Sequence, residues 1–148
     1  MGQGPSETDS MQRAADGYFY VDLSELPLIR IAFPARLSRH ALGRLIDELA
    51  PAYRTPGLRY GLIDLSNMDP RRVGPLFRSE AARAAVHFAR QHSGRIGGEA
   101  CFSNSTVVQG IHRAYSWLTH DDVERRMFKS EMTARSWIAT RRHQLEAA

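Results

Sequence analysis

The stretch Tyr60–Leu76, YGLIDLSNMDPRRVGPL, decides the fold. Arg59–Leu65 (RYGLIDL) is apolar enough for a central strand, and it closes on Asp64-Leu65-Ser66. Asn67–Pro70 is a turn, with Asp69 or a neighbour placed to cap the next helix. Arg71–Gln91 is that helix, a long one, with Val73, Phe77, Ala81, Ala84, Ala85 and Phe88 on one side. Arg71, Arg78, Glu80, Arg83 and Arg90 occupy much of the rest. Ser93-Gly94 ends the helix, because Gly takes the left-handed C-terminal conformation without strain.

Upstream, Tyr18–Leu23 (YFYVDL) alternates and is rich in β-formers, so it reads as a strand. Leu26-Pro27 breaks the chain, and Leu28–Phe33 (LIRIAF) is a second strand, antiparallel to the first. Ser38 is the N-cap of a helix over Arg39–Tyr53, where Leu42, Leu45, Ile46 and Leu49 recur at helical spacing. Downstream, Gly97–Phe102 (GGEACF) is a fourth strand, and Ser103–Ser105 caps a helix over Thr106–Leu118. Val123–Phe128 (VERRMF) is a fifth strand; its alternation of Val123 and Met127 with Arg predicts an edge with one wet face. Ser130 caps a last helix, Glu131–Gln144, which buries Ala134, Trp137 and Ile138. The order β-β-α-β-α-β-α-β-α predicts a single α/β domain over 17–148: a sandwich with a mixed, mainly parallel five-stranded sheet and about four helices.

At 148 residues the chain has the length of one domain. No apolar run approaches the roughly 20 residues of a membrane helix, so integral membrane association is not expected. Residues 1–16 lack an apolar core and read as a disordered leader, not a secretory signal. Cys101 is the only cysteine, so no intramolecular disulfide forms. A buried thiol in the cytoplasm is the expectation. The net charge is +4, and the cationic excess is mostly Arg, gathered in 71–95 and 125–142. The arginines lack interleaved aromatics and a helix-turn-helix pattern, so no nucleic-acid partner is predicted. No cofactor or metal motif is complete.

Three stretches carry a resemblance to a known family. They are LIDLSNMD before a long helix, the strand–turn–helix GGEACFSNSTVVQGIHRAYSWL, and the ending RRMFKSEMTARSWI with Phe128, Ala134, Trp137 and Ile138. In this order they resemble the STAS domain, the anti-sigma-factor-antagonist fold, and more closely its bacterial SpoIIAA-like branch, often grouped with lipid-binding carriers. The resemblance implies a non-enzymatic regulatory or protein-interaction module. In regulatory members a Ser in an Asp-Ser-Ser or Asp-Ser-Gly turn opens the second helix and is phosphorylated. Here that position falls near Arg72-Val73-Gly74, where no Ser stands. The alternative is a small-molecule or lipid carrier with an apolar cavity.

Ligands of parallel sheets bind beyond the carboxyl ends of the strands. Asp64, Ser66, Asn67 and Asp69 sit at one such end, with Arg71, Arg72 and Arg78 just beyond them in the chain. This rim is the candidate surface for an unidentified, acidic protein partner. Ser103, Asn104, Ser105, Ile111 and Tyr115 are the candidate ligand-pocket residues beside the next strand end. The polar ones are read first as caps and turn residues that bond their local backbone amides. Cys101 and His112 form a catalytic pair only if the thiol is exposed and low in pKa, whereas a strand of this type favours a core Cys. Glu99 points to solvent, pairs with an Arg, or faces a pocket. A homodimer is compatible with exposed sheet edges.

Overall fold

The computed structural model describes residues 17–72, 75–118 and 122–147, with backbone only for 75–78 and 115–118. The leader 1–16 and Val73-Gly74 lie outside the described residues. Five strands form one sheet in the order of the sequence: β1 (Tyr20–Asp22), β2 (Leu28–Ala32), β3 (Arg59–Asp64), β4 (Ile96–Phe102) and β5 (Arg125–Phe128). β1 is antiparallel to β2, and each later pair is parallel. The helices are α1 (Arg39–Leu49), α2 (Pro75–Gln91), α3 (Thr106–Leu118) and α4 (Glu131–Glu146). The predicted architecture is therefore present, element for element.

Several boundaries shift, most by one or two residues, and the two largest shifts have local reasons. The predicted helix 39–53 stops at Leu49, and Ala50–Tyr53 continues as a 3₁₀ turn containing Pro51. Ala50 keeps helical backbone angles, but Pro51 has no N–H to donate to the carbonyl four residues back, so the α-helical ladder stops there. The predicted helix from Arg71 begins instead at Pro75, after a separate 3₁₀ turn over Pro70–Arg72. The Asp69 carboxylate accepts from the Arg71 amide and caps that turn, not α2. β5 begins at Arg125 rather than Val123. Ser38 and Ser130 accept amide hydrogen bonds at the starts of α1 and α4, and Gly94 has the positive φ of a helix stop, 76°.

The strands advance one step at a time in one direction, so crossovers of one hand lay α1, α2 and α3 on the same face. Ile29 and Ile31 of β2 pack there against Ala41, Leu45 and Leu49 of α1, and Cys101 of β4 packs against Val108 of α3. On the opposite face Tyr60, Leu62, Ala100 and Phe102 meet Ala134 and Ile138 of α4. The alternation of side chains along each strand divides the two cores.

Part of the arginine excess is structural. Buried Arg59 donates to the carbonyls of Ala52, Leu58 and Thr55 and to the Thr55 hydroxyl. Arg95 donates to the carbonyls of Tyr53, Thr55 and Gly57. Together they satisfy the backbone of the loop between α1 and β3.

Candidate functional site

Small residues on two elements leave a hollow between the sheet and its three helices. β3 contributes Gly61 at its centre, and the sheet-facing side of α2 contributes Ala81, Ala84 and Ala85. Longer side chains close the rim of the gap: Leu42 and Ile46 from α1, Phe88 from α2, and Ile111 from α3. The result is a partly open cavity of about 160 Å³ with an almost wholly apolar wall.

One end of that wall is polar. The register places Gly61 beside Glu99, and Glu99 beside Arg125, so β3, β4 and β5 contribute one row on the helix-covered face. Arg125 Nε donates to Glu99 Oε2 at 3.0 Å. Their side chains are only 6% and 20% exposed. Gly61 makes room for this carboxylate, since a Cβ there would lie 3.2 Å from Glu99 Cγ. His112 of α3 and Cys101 of β4 also line the cavity.

Beside this ion pair, His112, Tyr53 and Cys101 are held neutral. Burial, with Arg125 nearby, lowers His112 to about 4. Burial, reinforced by Glu99, raises Tyr53 to about 12 and pushes the Cys101 thiol far above its usual range. A thiol held in that state is no nucleophile at neutral pH. The candidate Cys101–His112 pair thus has neither the exposed thiol nor the low pKa that it requires. His112 has a consequence for stability. Between pH 6.5 and 4 the unfolded chain takes up a proton on this imidazole and the folded chain does not. Stability is unaffected above that window and falls as pH drops through it, by up to about 3 kcal/mol. Urea midpoints of the wild type and His112→Gln, compared at pH 7 and pH 5, test this. The variant should lose part of the acid sensitivity, and equal slopes would exclude His112 as its source.

The predicted partner rim is continuous, because β3 and β4 are parallel neighbours. Its acidic groups, however, are engaged internally. Asp64 accepts from Arg30 at 3.2 Å and from the Ser66 amide at 2.8 Å. Arg30 also reaches Glu131 at 2.8 Å, and Glu131 in turn binds Arg135. Burial opposes ionisation of Glu131, but the hydrogen bonds from Arg30 and Arg135 outweigh it and lower its pKa. Asp69 binds Arg71 and Arg72, and the hydrogen bonds from Arg71 lower its pKa. Ser66 and Asn67 are exposed, as are Arg71 and Arg72, whereas the side chain of Arg78 is outside the described residues.

Among the candidate pocket residues, Ile111 lines the cavity, and the Tyr115 side chain is outside the described residues. The Ser103 hydroxyl accepts from the Ser105 amide, and the Ser105 hydroxyl from that of Val108. Asn104 is exposed. These three polar residues shape the start of α3 and do not line the cavity.

Sequence reasoning missed Arg125. The arginines of VERRMF read as one wet face, but adjacent strand residues point to opposite faces: Arg125 shares the inner face with Met127, while Arg126 is exposed. A second, more open hollow lies on the α4 face, where Arg142 pairs with Glu146 and Arg135 with Glu131. Among the described residues no His/Cys/Asp/Glu group could hold a metal ion, and no helix is long and apolar enough to cross a membrane. Comparison with family models, curated proteins and solved structures yields no match to this chain.

Proposed function

We propose that this domain is a non-enzymatic regulatory module that holds a small molecule in the sheet–helix cavity and offers the adjoining rim to a protein partner. The cavity carries the proposal. A partly open apolar cavity of about 160 Å³ holds water against hydrocarbon, and a ligand that displaces that water gains the free energy of apolar burial. Pockets for drug-sized molecules run from roughly 300 Å³ upward, so the space between sheet and helices suits a compact molecule better than a diacyl lipid. An engineered apolar cavity of about 150 Å³ takes benzene.

The regulatory part rests on one segment that touches both places. Leu65 and Met68 line the cavity, while Ser66 and Asn67 between them face solvent. Arg71 and Arg72 stand exposed just beyond and share the single carboxylate of Asp69, so the group keeps a net positive charge for an acidic partner. Assignment to the STAS fold belongs to the same proposal, and the element order and the quoted sequence stretches support it.

Filling the hollow tests the reading. Ala85→Leu places a larger apolar side chain in the cavity wall and should raise stability by about 1 kcal/mol. It should also abolish the melting-temperature increase that benzene produces in the wild type. An equal increase in both proteins would show that benzene binds elsewhere.

A further inference from the structure

We propose that the cavity takes a neutral, single-ring compound whose hydroxyl group donates a hydrogen bond to Glu99 Oε1. This rests on the cavity being a ligand site, and it adds the chemistry of the ligand. Size sets the ring: about 160 Å³ is close to the apolar volume of roughly 150 Å³ known to hold benzene.

Charge sets the neutrality. Glu99 and Arg125 cancel one another at 3.0 Å, and burial holds His112 uncharged. A carboxylate or an ammonium on the ligand would enter as an uncompensated charge against an apolar wall, which is strongly unfavourable.

Hydrogen-bond inventory sets the hydroxyl. Glu99 Oε2 receives Arg125 Nε, whereas among the described residues Oε1 has no donor. A carboxylate only accepts, so its ligand must donate. Gly61 leaves open the space beside this carboxylate that a side chain would narrow. Apart from Tyr53, Cys101 and His112, the remaining wall, built by residues such as Ile63, Leu45, Ala84 and Phe88, offers apolar surface to the ring.

Phenol, benzene and benzoate are the probes, each titrated calorimetrically into the full chain at pH 7. Phenol should bind about tenfold more tightly than benzene, as expected for a hydrogen bond to a charged acceptor. Benzoate should bind more weakly than either. In Glu99→Gln, phenol should lose most of its advantage over benzene, with circular dichroism confirming the fold. The wild-type comparison stands alone if that variant does not fold. Equal binding of phenol and benzene, as when water keeps Oε1, overturns the hydroxyl assignment and leaves the cavity as a ligand site. Tighter binding of benzoate overturns the neutral-ligand assignment in the same way. Failure of all three to bind overturns the cavity reading itself.

Discussion

Arg125→Met should destabilise the protein by about 3 kcal/mol or more, the largest loss expected from any single cavity residue. The substitution keeps much of the volume but leaves Glu99 in an apolar wall without its cation. Removing one member of a buried pair typically costs about 3–5 kcal/mol. The 20% exposure of the Glu99 side chain argues for the lower end. Glu99→Gln should cost less, because an amide is neutral. The double variant Arg125→Met/Glu99→Gln should recover part of the loss, since no charge then remains to be desolvated. Urea unfolding of the four proteins at pH 7 gives the coupling directly. A coupling below about 0.5 kcal/mol would mean that Arg125 is held by its other contacts, and that the pair is not the unit of stability here.

Gly97→Ala should be nearly as damaging, at about 3 kcal/mol, although it adds only a methyl group. The new Cβ would lie 2.4 Å from Tyr60 Cε1 and 2.8 Å from Cζ. Tyr60 is 1% exposed and belongs to the core beneath α4, so its ring can yield only by shifting toward the hollow that it borders, away from its packing partners. Overpacking of this kind usually costs about 1–3 kcal/mol, and backbone movement in a sheet interior puts this site at the top of that range. The pairing of β3 with β4 shifts register here, between Arg59–Ile96 and Tyr60–Gly98, leaving Gly97 as the additional residue. Gly43→Ala is the matched control. It lies within α1, exposed, with nothing within 4 Å of its added Cβ. There the same methyl should stabilise by about 1 kcal/mol through helix propensity. Opposite signs in thermal melts would establish close approach as the cause; two losses of similar size would refute it.

These residues show where the sequence is legible. Ser38, Ser130 and Gly94 announce helix ends through chemistry contained within three or four residues, and all three act as expected. The alternation of strands and helices is likewise local, so the element order can be read from it. The cavity is not local. Gly61 and the alanines of α2 each look like ordinary element residues, and only their stacking across the sheet creates a hollow. The polar end depends on the β4–β5 register, which no single window of sequence contains. Asp64 shows the same limit. Its position at a strand end is legible, whereas its tie to Arg30, 34 residues away, belongs to the folded sheet.

The strand order has a bearing on how the chain is made. Each strand pairs with the one synthesised just before it, so the sheet lengthens along one edge as the polypeptide leaves the ribosome. On one face, each helix arrives between the strands that it covers. The other face has no such escort: Tyr60, Leu62, Ala100 and Phe102 stay uncovered until the 16 residues of α4 emerge. A nascent chain paused before Ser130 therefore displays a finished sheet with one bare greasy side. That interval is when a chaperone has most to protect and when neighbouring chains have most opportunity to stick.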